Sequence, residues 1–139
     1  MARILAIDYG TKRVGLAVTD PARIIASPLT TVHPEALIAF LKEYEAREGI
    51  ELFVVGLPKN LASNDTDLTQ TVKNFVIHLK RVFPGKKVVT VDERFTSKMA
   101  FDAMLQGGMK KKDRRNKETI DKISATIILQ SFLEQGSLT

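Results

Sequence analysis

The chain has 139 residues, 44% hydrophobic and 27% charged, which is the balance of a globular domain able to bury a core without metal or disulfides. The absence of cysteine excludes disulfides and thiolate zinc sites, and no apolar run suits a membrane span or a secretion signal. The net charge of +5 favours polyanionic partners, so we expect a cytoplasmic protein that binds nucleic acid and no membrane.

The N-terminal part of the sequence predicts three antiparallel strands. Residues 3–8 form a nearly continuous apolar run, which is typical of a strand covered on both faces. Residues 14–18 alternate between larger apolar and small side chains and predict a second strand, paired with the first as a hairpin. A third strand is predicted over 24–32, and Pro28 within it indicates a sheet edge because proline cannot donate to a ladder.

After Pro34 the apolar period becomes helical, and helices then alternate with strands. The predicted elements are a helix that begins near residue 37 and stops at Gly49, a strand over 51–57, a helix over 68–79, a strand over 87–91, a short helix from Thr96 or Ser97 to Gly107, and a last helix over 119–134. A meander followed by βα units predicts one α/β domain over 1–139, with a mixed five-stranded sheet flanked by helices.

Three carboxylates stand in apolar surroundings where an unpaired charge is costly. Asp8 ends the first strand, Glu93 follows the fifth, and Asp121 lies in the otherwise apolar last helix. Each acid taken alone is equally well explained as a surface residue or as the partner of a neighbouring cation. Ligands of open α/β sheets gather at the carboxyl ends of the strands, however, and small residues after Asp121 would let the last helix approach that edge. We therefore expect Asp8, Glu93 and Asp121 to form one catalytic, metal-binding site.

An all-oxygen ligand set of this kind suits Mg²⁺ or Mn²⁺ better than zinc. Two such ions ~3.5–4 Å apart would clamp the attacking and leaving oxygens of a phosphodiester displacement. The residues thus favour metal-dependent cleavage of nucleic acid.

Four ordered segments carry a resemblance to a known family. They are DYGTKRVGLAVTD at 8–20, VVGLPKN at 54–60, VDERFTSKMA at 91–100 and KETIDKISATIIL at 117–129. This order resembles the YqgF family of Holliday-junction-resolvase-like proteins, which are assigned as nucleases for the 5′ end of pre-16S ribosomal RNA. The resemblance implies a ribonuclease H-like fold and matches Asp8, Glu93 and Asp121 to the family's acidic site. After Pro58 this chain lacks the glycine-containing turn usual in the family, which leaves the shape of that loop open.

Basic residues near these acids are candidates for binding backbone phosphates. Lys12 and Arg13 follow Asp8 closely and Arg94 adjoins Glu93, although each is also compatible with a solvated surface charge. The densest basic segment precedes the last helix and is interpreted as a phosphate-binding loop. Its cationic members are Lys110, Lys111, Lys112, Arg114 and Arg115. His33 and His78 are interpreted as incidental.

Other functions remain open on the sequence alone. Within the nuclease class the substrate is pre-16S RNA or branched DNA, as for a Holliday junction resolvase, and the protein acts as a monomer or a homodimer. A nucleic-acid-binding module without catalysis is a further alternative, which the presence of all three acids disfavours. An ATP-dependent enzyme of the actin and sugar-kinase type shares the Asp-x-Gly-Thr turn at Asp8–Thr11. Such enzymes bind nucleotide between two domains of this fold, so a single domain argues against that reading.

Overall fold

A computed structural model describes residues 2–58, 67–92 and 117–137, with side chains described over 68–92 and 123–134 of the last two ranges. The strands are β1 (Arg3–Tyr9), β2 (Val14–Thr19), β3 (Ala26–Val32), β4 (Ile50–Leu57) and β5 (Lys87–Asp92), and the helices are a 3₁₀ turn (Pro34–Ala36), α1 (Leu37–Glu48), α2 (Asp67–Val82) and α3 (Lys117–Ser137). The predicted alternation of strands and helices is confirmed. The predicted short helix after Thr96 or Ser97 lies outside the described residues.

The five strands form one mixed sheet in the order β3-β2-β1-β4-β5. β1 pairs antiparallel with β2, which pairs antiparallel with β3, whereas β1, β4 and β5 run parallel. Pro28 lies in β3 at one margin of the described sheet, as predicted, and the β2–β3 register shifts next to its partner Ala17. The parallel β1, β4 and β5 place their carboxyl ends at one edge of the sheet, which we call the Asp8 edge.

Helices cover both faces of the sheet. On one face α1 and α2 pack against large side chains such as Leu5, Leu16 and Phe53. On the other face α3 packs through Ala125, Ile128 and Leu129 against a different set of strand residues, which are Ile4, Ala6, Ala17, Val54 and Val91. Side chains of successive residues in a strand point to opposite faces of the sheet, so neighbouring residues of β1 pack alternately against α3 and against α1 and α2.

Local contacts explain one element boundary that differs from the sequence prediction and one that agrees with it. The third strand begins at Ala26 and not at Ile24, because the backbone N–H groups of Ile24 and Ile25 bond to the Asp20 carboxylate and close a turn. α1 ends at Gly49, as predicted. That residue has φ of +82°, a conformation that glycine adopts without steric cost.

Candidate active site

Asp8 lies in the last part of β1 on the face covered by α3. Ile4 and Ala6 pack on that face and Asp8 follows them at the same spacing, whereas Tyr9 turns to the opposite face and stacks on Phe75 with ring centroids 4.6 Å apart. The side chain of Asp8 is half-buried and is in contact with other groups of the protein. The structure therefore directs this carboxylate to the side of the sheet that carries α3.

Glycines of the two neighbouring strands flank Asp8 on this face. Gly15 is its direct partner across the β1–β2 ladder. In the parallel β1–β4 ladder Ile7 pairs with Val55, so Gly56 is the next residue of β4 beside Asp8. Neither glycine has a side chain that could cover the carboxylate.

The β1–β2 turn brings two cations to the Asp8 edge. A Cβ atom on Gly10 would lie 2.5 Å from the carbonyl oxygen of Arg13, so the tight turn requires glycine at this position. Lys12 is exposed at the tip of the turn, and Arg13 is half-buried and in contact with other groups. Both predicted phosphate-binding residues thus belong to the turn that follows the end of β1 at the Asp8 edge.

An open cleft of about 430 Å³ adjoins this turn. Its lining comprises Thr11, Lys12, His33, Pro34 and Glu35. His33, interpreted from the sequence as incidental, reaches this cleft because Val14 at the start of β2 pairs with Val32 at the end of β3. No signal in the sequence predicts this proximity, since it depends on the register of two strands.

α3 approaches the sheet closely above this face. Ala125 of the helix and Ala6 and Ala17 of the sheet are all fully buried in the same cluster, so small side chains line both surfaces, as expected from the sequence. Phe132, farther along α3, lines a cavity with Leu52 and Lys87 near the beginnings of the parallel strands. The N-terminal part of α3 is therefore directed toward the Asp8 edge.

The other predicted site residues are described only in part. Asp121 is in α3, one helical turn before Ala125, and its side chain lies outside the described residues. Glu93, Arg94 and the whole basic segment 110–115 also lie outside them. Within the part of the chain that the structure describes, no group of three or more His, Asp or Glu side chains is positioned to hold a metal ion.

Asp20 is at the opposite end of the sheet and has a structural role. Its Oδ1 accepts hydrogen bonds of 2.8 Å from the backbone N–H groups of both Ile24 and Ile25. The bonds from Ile25 and Ile24 stabilise the ionised form and lower the pKa of the Asp20 carboxyl below its ordinary value. Asp20 therefore closes a turn and lies apart from the candidate site.

Comparison with known proteins decides the family. A family model described as "RuvX: Holliday junction resolvase" matches residues 2–135. The chain belongs to the RuvX family. A relative from Amoebophilus asiaticus, named "Putative pre-16S rRNA nuclease", is 54% identical over 133 residues, covering 96% of this chain and 94% of its own length. The resemblance found in the sequence is confirmed, and with it the expectation of a nuclease.

Solved structures of resolvases share the fold of this RuvX protein. The Fowlpox virus resolvase, in complex with Holliday junction DNA, has a TM-score of 0.62 at 12% identity and covers 96% of this chain and 97% of its own. The T. thermophilus RuvC structure, with a Holliday junction substrate, has a TM-score of 0.59 at 18% identity and covers 99% and 98%. The predicted ribonuclease H-like fold is confirmed. In the described parts of the chain, no helix combines the length and apolar character that a membrane crossing needs.

Proposed function

We propose that this RuvX-family protein is a divalent-metal-dependent endonuclease whose site comprises Asp8, Glu93 and Asp121. The observation that carries the proposal is the position of Asp8, on the α3 face at the carboxyl edge of the parallel strands and between Gly15 and Gly56. Glu93 stands two residues after Val91, which packs on the same face, and Asp121 stands four residues before Ala125. These spacings support a site shared by all three acids.

The donor set fits Mg²⁺ or Mn²⁺. Carboxylate oxygens are the ligands that these hard cations prefer, and the residues that flank Asp8 on the neighbouring strands are glycines without side chains. Asp8, Glu93 and Asp121 would hold a pair of such ions. When bound, the metal supplies charge stabilisation at the phosphate and lowers the pKa of water.

The protein's own residues then bind and orient the substrate. Lys12 and Arg13 hold phosphate oxygens of the strand beside Asp8, and the β1–β2 turn fixes where those cations stand. A water oxygen forms a bond to phosphorus while the bond from phosphorus to one bridging oxygen breaks, and the leaving oxygen ends with a proton. Arg94 and the basic segment at Lys110, Lys111, Lys112, Arg114 and Arg115 bind more distant phosphates and carry no sequence recognition.

The 5′ end of pre-16S ribosomal RNA is the substrate that we favour. The support is the name of the relative that is 54% identical across nearly the whole of both chains. Such a nuclease would act in the cytoplasm, where ribosomes are assembled, as a monomer or a homodimer. The description of the family model favours a four-way DNA junction as the second candidate substrate.

A cleavage assay with Mn²⁺ compares the two substrates directly. The full chain is incubated with a pre-16S RNA fragment that includes its 5′ leader, or with a four-way DNA junction, each with Mn²⁺ or with a chelator. We expect Mn²⁺-dependent cleavage of the RNA and none by an Asp8→Asn control. Faster cleavage of the junction would assign the protein as a resolvase. Cleavage unaffected by the chelator, or retained by the control, would refute the proposed site.

A further inference from the structure

The two helices that cover one face of the sheet carry opposite charge. α1 contains three glutamates against one lysine and one arginine. From residue 68 to 91, covering α2 beyond its first residue and nearly all of β5, the sequence has five lysines and arginines and no acid. Both helices bury the same kind of apolar side chain against the same face, so packing does not require this difference.

The second region contributes one ion pair to α1, between Lys86 and Glu45 at 2.8 Å, whereas the cations at the end of α2 have no such partner among the described residues. On α1, Arg47 pairs with Glu43 at 3.7 Å and lies over the Tyr44 ring. Lys80 and Arg81 of α2 and Lys87 of β5 are exposed, and none of them forms an ion pair with another described residue. The positive charge near the end of α2 is therefore available to an external anion.

α2 begins at the Asp8 edge, on the face of the sheet opposite α3, and extends toward the other end of the sheet. Near its beginning the Thr69 hydroxyl donates to the carbonyl oxygen of Pro58, at the carboxyl end of β4, and farther along Phe75 stacks on Tyr9 beside Asp8. The 16 residues of the helix span about 24 Å at ~1.5 Å per residue. Its exposed side presents hydrogen-bond donors that suit phosphate oxygens, on Gln70, Asn74, His78 and Arg81, with the apolar Ile77 among them.

We propose that this exposed side of α2, together with Lys87, binds the phosphate backbone of nucleic acid at a distance from the cleaved bond. That the bound nucleic acid is also the substrate rests on the proposed function, whereas the binding of a polyanion to α2 does not. The helix starts at the Asp8 edge on the face opposite α3, so a strand or duplex that leaves the site across this edge reaches α2 and continues along it toward Lys80 and Arg81. Backbone contacts of this kind add affinity without reading sequence.

Two double variants with the same charge change test the proposal. Lys80→Gln/Arg81→Gln removes one lysine and one arginine from α2, and Lys42→Gln/Arg47→Gln removes the same pair from α1. Both are made in the full chain carrying Asp8→Asn, so that binding is measured without cleavage. The probes are a short RNA limited to the cleavage site of pre-16S RNA and a longer RNA extended on both sides, and melting curves verify that each variant is folded.

We expect the α2 variant to lose affinity for the long RNA while the α1 control binds like its parent. Two lost phosphate contacts should flatten the slope of log affinity against log salt by about 1.4–1.8. Between 50 and 200 mM salt the affinity of the variant should then fall roughly 7- to 12-fold less than that of its parent. Binding of the short RNA should change little, since that RNA does not extend along the helix.

Equal slopes and affinities for the two variants would overturn the proposal. Polyglutamate serves as a further probe. An α2 variant that binds the long RNA normally but has lost the binding of polyglutamate shown by its parent would also overturn the proposal, and would indicate a docking surface for acidic proteins. The outcome is separable from the proposed nuclease activity. A protein that binds RNA through α2 and cleaves nothing would refute the nuclease alone, and one that cleaves RNA with unchanged binding in the α2 variant would refute this surface alone.

Discussion

Each end of the sheet has an aspartate where an apolar strand finishes, and the two aspartates do different work. Asp20 follows β2, and its Oδ1 accepts two backbone N–H bonds from the loop that it closes. Asp8 ends the apolar run of β1 on the α3 face, between glycines of the neighbouring strands. Similar local sequences thus give a turn-forming acid and a candidate metal ligand. The neighbours in space, and not those in sequence, assign the role.

The surroundings of the two ends reinforce this contrast. At the Asp20 end the Arg3 guanidinium donates to the Thr19 carbonyl oxygen at 3.0 Å, and the Thr19 hydroxyl accepts from the Ile4 N–H group at 3.0 Å. These bonds link the ends of β1 and β2 within the chain. At the Asp8 edge Lys12 of the β1–β2 turn borders an open cleft instead. The opposite end also has a cavity, lined by Lys87 and Arg23, although Arg23 is paired with Glu51 there. The contrast therefore concerns the two aspartates and not every cation at each end.

The largest expected effect is that of Asp8→Asn. Removing this charge should lower the rate of cleavage by at least ~10²-fold, because the developing charge on the phosphate loses its stabilisation. The fold should persist, since the carboxylate does not contribute to core packing, and without metal the variant should be at least as stable as wild type if clustered carboxylates repel one another. Single-turnover cleavage and thermal melting, measured on the same preparation, test both statements.

Metal binding provides a control for Asp8→Asn that is independent of activity. Added Mn²⁺ should raise the melting temperature of wild type by mass action and have little effect on the variant. Asp20→Asn should respond to Mn²⁺ like wild type. Equal metal-induced shifts in all three proteins would break the contrast between the two aspartates.

The next largest effect concerns the turn that places Lys12 and Arg13. Gly10→Ala forces a Cβ to within 2.5 Å of the Arg13 carbonyl oxygen, so the turn must change shape. A displacement of ~1 Å at a site costs up to about 10²-fold in rate, and we expect a loss of cleavage between tenfold and that value. The matched control is Gly85→Ala, where an added Cβ meets nothing within 4 Å. If both alanine variants cleave equally well, the turn does not position the reaction.

The sequence predicts most of this fold because its apolar periods are clear. The continuous run of β1, the alternation of β2 and the helical spacing of α1 each reflect which faces are covered, so these elements match their predicted positions. The start of β3 was predicted two residues too early. The side chain of Asp20 takes the N–H groups of Ile24 and Ile25 out of the ladder, and no periodicity reveals that competition.

The candidate site is less completely predictable than the fold. Asp8 stands out as a carboxylate at the end of a buried strand, and its position at the carboxyl edge is confirmed. The approach of His33 to Lys12 depends on strand register, which the sequence does not show. The sequence also does not show which cations are paired, as Arg47 of α1 is, and which are exposed without an ion pair, as Lys80 and Arg81 of α2 are. The joint role of Glu93 and Asp121 with Asp8 stays a prediction, because the structure does not describe those two side chains.

A smaller effect should separate cations at the two ends of the sheet. Lys12→Gln at the Asp8 edge should flatten the salt dependence of RNA affinity by about 0.7–0.9, the value for one lost phosphate contact. Arg23→Gln at the opposite end, where the native side chain pairs with Glu51, should leave that slope unchanged. Both substitutions remove a single positive charge, so a difference between them reports position and not net charge. A flatter slope for Arg23→Gln would place a phosphate at Arg23 itself, in the cavity that it lines with Lys87, and would show that pairing with Glu51 does not exclude it from binding.

The smallest expected effect is the pH-dependent stability that Asp20 contributes. Bonds from the N–H groups of Ile25 and Ile24 lower its pKa in the folded protein below the ordinary value of 3.8. A carboxyl with a depressed folded pKa stabilises the fold above its unfolded pKa, and that stabilisation is lost as the pH falls through the folded pKa. Asp20→Asn keeps an acceptor oxygen but loses the charge, so its melting temperature should be slightly below that of wild type at neutral pH. The difference should be constant between about pH 5 and 8 and should shrink below about pH 4, where wild type also loses the charge.

Melting curves of both proteins across this pH range measure the difference in melting temperature, with cleavage at neutral pH as the companion assay. A difference that persists unchanged at pH 3 would refute the charge argument. A loss of cleavage without a change in melting temperature would assign Asp20 to the catalytic site and refute the different roles given to the two aspartates.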